Sequence, residues 1–286
     1  MSTMQMSLRE PETHYCEPTL TDDDVVEFCK NGFVKLDAVV PDEINQRVTE
    51  YLEHNSLDEL REEDWFIQGV LLNPEAAGAL RSLLGAHFAL PVGIANHRVE
   101  CPSESQGWHR DGGSRQTYEM NHLQVFYYPQ ETPLELGPTE IVPGSHFLHS
   151  LGRYMAHYGG IRSGARLASP AGTIFLTAYH IWHRRGAATG HGLRNMLKYC
   201  YWRTVAPKRD WVTDDQFDGA RAQYTLGANP VEQFRDWYDA SEMFFWLCGQ
   251  LDEYYELLGG KGWPMGYPPP YPGCPIYPPR GFHRFA

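Results

Sequence analysis

His109 and Asp111, in the segment SQGWHRDGGS, have the residue types and the spacing of two ligands for one metal ion. Residues i and i+2 of an extended strand project from the same face, so the imidazole and the carboxylate could reach the same ion. Gly112 and Gly113 would equally suit a polar turn, since this spacing often occurs by chance. A second histidine would complete a set of two histidines and one carboxylate, which leaves coordination positions open and is typical of non-haem iron(II) oxygenases.

The second histidine could be His180 or His183, both in the segment YHIWHRRGAATGHGLRNMLKYCYWR. Arg194 lies eleven residues after His183, and the pattern predicts that it stands on the returning strand of a hairpin whose loop is RRGAATGHG. A guanidinium group binds a carboxylate through two parallel hydrogen bonds, so Arg194 could hold the far end of an acidic co-substrate whose near end chelates the metal. Alternatively, Arg194 neutralises one of the 36 acidic side chains of the protein.

The segments that carry these residues predict a β-rich core. Between Val92 and about Thr204, short runs rich in β-branched and aromatic residues alternate with turns that contain glycine or proline. This spacing is typical of an antiparallel sandwich or barrel, and a double-stranded β-helix, or jelly roll, is the arrangement that carries metal sites. The predicted strands lie within GIANHRVE, NHLQVFYYP, TEIVPGS, GTIFLTAYHIWH and MLKYCYWRT.

Helical segments precede this β-rich region. Thr21 can cap a helix in LTDDDVVEFCK with Asp24 three residues later, and Asn31-Gly32 breaks that helix before the predicted strand FVKLDAVV. Two further helices are predicted, one over DEINQRVTEYLEHN and one near residues 74–84. We therefore predict a mainly β fold with flanking helices and a double-stranded β-helix core.

The chain divides into three predicted parts. Residues 1–18 form an irregular tail, and residues 19–206 form the β-helix domain with its N-terminal helices. Residues 207–286 contain a helical segment, ANPVEQFRDWYDASEMFFWLCGQLDEYYELL, and a tail rich in proline and tyrosine, both packed on the same domain. That tail could instead remain a loosely held extension, bind a proline-recognising partner or contact a second copy in a homo-oligomer.

Composition argues against several classes of protein. The formal net charge of −12 disfavours a nucleic-acid-binding protein, which needs clustered cations. No apolar run reaches the roughly 18 residues of a membrane span, and residues 1–20 lack the apolar core of a secretory signal. The six cysteines are scattered, with no CxxC pair, which favours free thiols in a cytoplasmic protein.

Four segments, taken in order, resemble the phytanoyl-CoA dioxygenase family of Fe(II)- and 2-oxoglutarate-dependent oxygenases, over about residues 19–204. The first is LTDDDVVEFCKNGFVKLDAVVPDEI, which is similar to the helix-strand-helix opening of the family. The second is the pair His109 and Asp111, and the third is GPTEIVPGSH, which looks like the family's Pro-Gly-Ser-His loop. The fourth is His183 followed by Arg194, at the family's spacing of distal metal ligand and 2-oxoglutarate arginine.

The resemblance implies a role for each of these residues. His109, Asp111 and His183 correspond to the iron ligands, and Arg194 corresponds to the clamp on the far carboxylate of 2-oxoglutarate. The family spacing selects His183 over His180, which then lies in the wall of the site or supports it from behind.

Three further positions follow from the same resemblance. Tyr127 stands where relatives place an aromatic ring against the co-substrate, and Gln124, on the same predicted strand, would contact the co-substrate or the substrate. Relatives often have a small or hydroxylated residue where this chain has Arg185, which could rearrange the carboxylate contact or face an acidic substrate. Halogenating relatives replace the acidic ligand, so Asp111 argues against halogenation.

The implied activity is oxidation, most simply hydroxylation, of a small-molecule metabolite by Fe(II), 2-oxoglutarate and dioxygen, with release of succinate and carbon dioxide. Oxidative dealkylation, desaturation or cyclisation in natural-product biosynthesis would start from the same iron centre. Two other classes remain open. One is a catalytically silent metal-binding or ligand-sensing jelly-roll protein, and the other is a cupin-type enzyme with another metal and no 2-oxo acid. Neither would need Arg194 together with an intact ligand set.

Residues near these motifs give candidate substrate contacts, chiefly Trp108, Arg110, Arg185 and Tyr199, with Trp202 as a further one. Five arginines could form a local cationic rim: Arg110, Arg162, Arg166, Arg184 and Arg185. Such a rim would suit an acidic small molecule, although each arginine could equally be an ordinary surface charge. We expect the substrate to be a small polar metabolite or a natural-product intermediate, rather than an acyl-CoA inferred from the family name.

Overall fold

A computed structural model describes residues 12–112, 117–147, 159–161, 164–217 and 230–253. The helices are α1 (Asp22–Asn31), α2 (Asp42–His54), α3 (Leu57–Glu62), α4 (Asp64–Phe66), which continues as a π-helical turn over Ile67–Leu71, α5 (Pro74–Leu84) and α6 (Pro230–Leu247). The strands are β1 (Thr13–His14), β2 (Phe33–Leu36), β3 (Phe88–Ala89), β4 (Ile94–Asn96), β5 (Val99–Ser103), β6 (His122–Tyr128), β7 (Thr139–Ile141), β8 (Ala165–Arg166), β9 (Thr173–Ala178), β10 (His183–Arg185), β11 (Ala188–Arg194) and β12 (Leu197–Trp202).

The strands form two antiparallel layers. The larger sheet has the order β1-β3-β12-β6-β9-β2, and β4 also pairs with β12. The smaller layer consists of β10-β7-β8 and of β11-β5, and His109, which lies outside the named strands, forms an isolated bridge with His183 of β10. The predicted mainly β fold with flanking helices is therefore confirmed.

The central strands of the larger sheet are buried on both faces. On β6, Leu123, Val125 and Tyr127 belong to the hydrophobic cluster formed with the helices. Phe126 and Tyr128 point the other way, into a second cluster that contains Ile141 and Ile181 from the smaller layer. Alternation along a strand assigns the remaining residues to these two faces. We call the face that carries Phe126 the inner face, because it looks onto the bridge between His109 and His183.

The first helix begins and ends where the sequence predicts. Thr21 and Asp24 form the predicted capping box, in which the Thr21 side chain accepts from the Asp24 backbone and the Asp24 carboxylate accepts from the Thr21 backbone. Gly32 ends the helix in a left-handed conformation, with φ 79°. A Cβ atom at this position would lie 2.5 Å from Nδ1 of the buried His146, so both the backbone and the space require glycine.

The stretch from α3 to the π-helical turn is not among the predicted helices. It carries its own start signal, since Ser56 and Glu59 form a second capping box. A further difference lies in residues 1–18, predicted as irregular. Thr13 and His14 pair with Ala89 and Phe88 and extend the larger sheet, so this part of the prediction is wrong.

The predicted hairpin between His183 and Arg194 is also wrong. Residues 188–194 form β11, and both β10 and β11 pair with the other strands of the smaller layer, not with each other. Arg194 lies opposite Val99 at the end of β11, and the returning strand, β12, begins only at Leu197. Most of the predicted loop is thus strand, and only Gly186 and Ala187 lie between β10 and β11.

The described C-terminal helix packs beside α1. Met243, Phe244 and Leu247 of α6 belong to the same hydrophobic cluster as Val25 and Phe28 of α1. The bounds of the three predicted parts stay a prediction, and the proline- and tyrosine-rich tail lies outside the described residues. Within the described ranges, no helix has the length and apolar character needed to cross a membrane.

Candidate metal and co-substrate site

His109 and His183 face each other across the smaller layer. The backbone N–H of each donates to the carbonyl oxygen of the other, with both distances 3.0 Å, and the ring centroids are 4.6 Å apart. Asp111 follows two residues after His109, and its Oδ2 lies 3.8 Å from Nε2 of His183. One ligand atom from each of the three residues lies within 4.8 Å of the others, so the group could hold a divalent ion.

Hydrogen bonds fix which ring nitrogen of each histidine is free. Nδ1 of His109 lies 2.9 Å from the carbonyl oxygen of Gly107, and Nδ1 of His183 lies 3.0 Å from that of Ile181. A carbonyl only accepts, so the hydrogen sits on Nδ1 and the Nε2 lone pair is left for a metal. Burial lowers the pKa of His183 to about 4, which keeps this imidazole neutral at pH 7.

Asp111 is held by two donors from the inner face of the larger sheet. The side-chain amide of Gln124 donates to Oδ2, and Nζ of Lys198 lies 2.5 Å from the same oxygen. Burial by itself would raise the pKa of Asp111, but His183, Gln124 and Lys198 outweigh it and hold the pKa below its usual value. Both donors bind Oδ2, the oxygen that lies 3.8 Å from Nε2 of His183, so an ion held by the three residues would share this carboxylate with them.

Gln124 therefore contacts the acidic residue of the ligand set, where the sequence predicts a co-substrate or substrate contact. Lys198 is a residue that the sequence analysis did not single out. His97, between β4 and β5, is another: burial lowers its pKa, and the nearby positive charges of Lys198 and Arg194 lower it further. The only sequence signal for Lys198 is its place in β12, where it alternates with the buried Leu197 and Tyr199.

Arg194 is a buried cation whose hydrogen-bonding capacity is largely unused. Its side chain is 1% exposed. Nη2 lies 3.4 Å from the Tyr128 hydroxyl and 3.3 Å from that of Thr139, whereas Nε and Nη1 have no partner among the described residues. A buried charge without a counter-ion is costly, so this arrangement fits a site that receives an anion.

Tyr127 does not reach this arginine. It lies on the helix-facing side of β6, where its hydroxyl donates to Oδ1 of Asn45 over 2.7 Å. The next residue, Tyr128, lies on the inner face, and the Arg194 guanidinium stands 5.5 Å from its ring centroid. Tyr128, and not Tyr127, therefore lies beside Arg194, because neighbouring residues of a strand face opposite sides. The contact of Tyr127 with the co-substrate stays a prediction.

The predicted substrate residues are not brought together. Trp108 packs with Val142 and Trp182, and the Arg110 guanidinium lies 5.6 Å from the Trp182 ring centroid, so both candidates point away from His109. Tyr199 belongs to the helix-facing cluster. Nη1 of Arg185 lies 2.5 Å from Oγ of Ser103.

The predicted cationic rim is not found in the described part of the chain. Arg184 lies directly opposite Glu140 across β10 and β7, and its Nε donates to Oε2 of that residue over 2.7 Å. Arg166 approaches the other oxygen of Glu140, at 3.1 Å. Both arginines therefore pair with the buried Glu140, Arg184 from a buried side chain and Arg166 from one that is 64% exposed. Arg162 lies outside the described residues.

Beside Asp111, the inner face continues to a partly exposed edge. The Tyr179 hydroxyl donates to the carbonyl oxygen of Gly112 over 3.0 Å, and its ring centroid lies 4.6 Å from that of His122. Cys200 pairs with Gln124 and Trp202 pairs with His122 across β12 and β6, which puts both on the same face as Lys198.

His180, the other candidate for the second histidine, lies in a separate buried pair with His146, at 6.0 Å between ring centroids. Burial lowers the pKa of His146 to about 3 and that of His180 to about 4. Unfolding exposes both rings to water, where the pKa of histidine is about 6.5. Below that pH the unfolded chain therefore binds protons at these two histidines that the folded chain does not bind. Stability should therefore fall as the pH drops below about 6.5.

We expect the free energy of unfolding of the metal-free protein to decrease by about 4 kcal/mol between pH 7 and pH 5 from these two histidines alone. Urea unfolding at a series of pH values measures it. His146→Gln should make the pH dependence shallower, whereas the same change at the exposed His54 should not. Equal stability at pH 7 and pH 5 would contradict the prediction.

Comparison with known proteins identifies a family whose model matches this chain. The model of the family described as Phytanoyl-CoA dioxygenase (PhyH) matches residues 16–196, which is well over half of the chain. A search of the curated proteins found no match.

Several solved structures are similar in fold. HygX from Streptomyces hygroscopicus, with nickel and 2-oxoglutarate bound, has a TM-score of 0.54 and 18% identity, over 68% of this chain and 90% of HygX. The carbocyclase SnoK and the epimerase SnoN, both α-ketoglutarate-dependent enzymes of nogalamycin biosynthesis, are each 16% identical. SnoK has a TM-score of 0.51 and coverages of 69% and 91%, and SnoN has 0.50 with 63% and 81%.

Proposed function

The chain belongs to the phytanoyl-CoA dioxygenase family of non-haem Fe(II)- and 2-oxoglutarate-dependent oxygenases, and we propose that it hydroxylates a small-molecule metabolite while 2-oxoglutarate is converted to succinate and carbon dioxide. The observation that carries the co-substrate part of this proposal is Arg194 at the end of β11, a buried guanidinium with two nitrogens that have no partner among the described residues. A dicarboxylate that chelates an ion at one end needs such a group at the other.

The described residues fit both absent groups. Nε2 of His109, a carboxylate oxygen of Asp111 and Nε2 of His183 would hold the iron, and Nε and Nη1 of Arg194 would bind the far carboxylate of 2-oxoglutarate. When bound, iron couples the oxidative decarboxylation of 2-oxoglutarate to oxidation of the substrate.

The chain's own side chains fix this arrangement in three ways. Gln124 and Lys198 hold Oδ2 of Asp111, so the carboxylate cannot rotate freely. Tyr128 and Thr139 occupy Nη2 of Arg194 and so aim its other nitrogens. The burial of these groups excludes water, which strengthens each charged contact.

The partly exposed edge beside Asp111 is the place we assign to the substrate. It is formed by His122, Tyr179, Cys200 and Trp202, which offer aromatic surface together with hydrogen-bonding groups. Such a wall suits an organic small molecule. Two of the similar folds support this choice of class, since HygX binds hygromycin B and SnoN binds nogalamycin RO in their crystals.

A second outcome of the same chemistry has its own support. The similar folds include an epimerase and a carbocyclase, so the fold accommodates reactions other than hydroxylation. Oxidative cyclisation, desaturation or dealkylation would use the same ligand set and the same arginine. A catalytically silent binding protein is the alternative of another class.

The test uses the full chain, loaded with Fe(II) under anaerobic conditions. Addition of 2-oxoglutarate should produce a weak charge-transfer band in the visible region, because both metal-proximal oxygens of the co-substrate chelate the ion. Admission of dioxygen should then release succinate, and addition of a substrate should increase that release. A protein that binds Fe(II) but shows neither band nor succinate would favour the cupin-type or silent alternatives.

A further inference from the structure

Lys198 is a second cation inside the site, and the proposed reaction does not require it. Its Nζ lies 2.5 Å from Oδ2 of Asp111 and 5.8 Å from the ring centroid of Phe126, and its side chain is 15% exposed. Lys198 and Phe126 are directly opposite each other in the register of β12 and β6. The ring of Phe126 in turn lies 5.3 Å from that of His183. The ammonium group is therefore fixed at the ligand set.

Three residues on the inner face of β6 show the order in which the groups of the site lie along this strand. Gln124 binds Asp111, Phe126 contacts His183 and lies under Lys198, and Tyr128 lies under Arg194. Successive inner-face residues of a strand are about 7 Å apart. Lys198 thus lies over Phe126, the inner-face residue between Gln124, which binds Asp111, and Tyr128, which lies beside Arg194.

The charges at this place do not favour a metal ion alone. Lys198 and Arg194 contribute two positive charges and Asp111 one negative charge, which is a net charge of +1 for these three groups. A divalent ion would raise the sum to +3, and a dicarboxylate would return it to +1. In a poorly solvated site, like charges repel more strongly than they do in water. The ion also has to compete with Lys198 for the carboxylate of Asp111.

We propose that Lys198 couples the binding of the metal to the binding of 2-oxoglutarate. Its ammonium group weakens the binding of a divalent ion by itself and favours the ion together with a dianion, because the second ligand removes the excess positive charge. The ammonium group has three N–H donors, of which the contact with Asp111 uses one. The inference rests on the proposed function, since it takes 2-oxoglutarate as the second ligand.

Coupling free energies are reciprocal, so the effect has to appear in both directions. If Lys198 acts by its charge, 2-oxoglutarate tightens metal binding and the metal tightens 2-oxoglutarate binding by the same factor. If Lys198 only props Asp111 in place, its removal weakens metal binding and leaves that factor unchanged. The two roles therefore give opposite results for the metal alone.

The experiment measures the dissociation constant of Mn(II) by electron paramagnetic resonance of the free ion, with and without 2-oxoglutarate. We expect Lys198→Met to bind Mn(II) alone about tenfold more tightly than the native protein, and the gain from 2-oxoglutarate to shrink about tenfold. Lys198→Arg, which keeps the charge, should retain most of the gain. Lys35→Met is the matched control, since Lys35 lies on the same sheet at 5.9 Å from the ring of Phe175.

Three outcomes separate the possibilities. Weaker or unchanged Mn(II) binding by Lys198→Met, with the gain from 2-oxoglutarate intact, would overturn the coupling role and leave the proposed function standing. The same loss in Lys198→Arg as in Lys198→Met would also overturn it, because the charge would then be irrelevant. No gain from 2-oxoglutarate in the native protein would overturn the proposed function together with the inference.

Discussion

Replacing Arg194 with methionine is expected to weaken 2-oxoglutarate binding by about two to three orders of magnitude without weakening metal binding. Each hydrogen bond between charged groups contributes about 1.5–3 kcal/mol, and Arg194 offers two free nitrogens to the far carboxylate. Methionine is similar in length but has no donor. Titration of the Fe(II)-loaded variant with 2-oxoglutarate, followed by the visible charge-transfer band, measures the effect.

The same variant carries a second expectation, which concerns the protein without ligands. Arg194 is 1% exposed and has no ion-pair partner in the described ranges, so removing its charge should raise the free energy of unfolding, by about 1 kcal/mol or more. Arg184→Met is the matched control, because Arg184 is also buried but is paired with Glu140. That variant should lose about 3 kcal/mol of stability and keep its affinity for 2-oxoglutarate.

One result would contradict the role of Arg194 in binding 2-oxoglutarate. If Arg194→Met unfolds more readily than the native protein and binds 2-oxoglutarate as well as before, the arginine has a structural role only. The charge-transfer band and the urea midpoint together distinguish the two cases.

His183→Gln is expected to lose metal affinity by more than about 100-fold, whereas His180→Gln should stay within a few-fold of the native protein. Nε2 of His183 belongs to the ligand set, with its Nδ1 held by the carbonyl of Ile181. His180 lies beside His146 instead, 6.0 Å away between ring centroids. The two residues are three positions apart and both are buried, so they form a matched pair.

Equilibrium dialysis against Co(II) measures both affinities, and thermal unfolding of each variant shows whether it is folded. Loss of metal binding in His180→Gln with its retention in His183→Gln would reassign the ligand and overturn the geometry described above. Equal, moderate losses in both would mean that the site collapses when either ring is replaced.

The sequence predicts the group His109, Asp111 and His183, which the structure brings together, because metal binding depends on residue type and order along the chain. The role of Arg194 stays a prediction. The sequence does not predict which neighbouring tyrosine lies near Arg194. Six of the seven residues of β6 are buried, so the strand shows no alternation of apolar and polar residues that would identify a face. Tyr127 and Tyr128 are equivalent in the sequence and lie on opposite faces in the structure.

The partners of charged residues are likewise set by the fold. In the sequence, nothing distinguishes Arg184 from a surface charge. Its partner, Glu140, is set by the pairing of β10 with β7, which places the two residues opposite each other. Lys198 is an ordinary lysine in LKYCYW until the inner face of β12 meets Asp111. Contacts of this kind join segments far apart in the chain, and neither composition nor local spacing encodes them.

Two backbone hydrogen bonds join His109 directly to His183, so the backbones of these two ligands are held together independently of any ion. An arriving ion finds both imidazoles already in place, so binding costs little conformational entropy. We expect the two hydrogen bonds to persist when the ion leaves, so that one divalent ion can replace another without local unfolding. Which metal occupies such a site in a cell is then decided by supply and relative affinity, not by the folding of the chain.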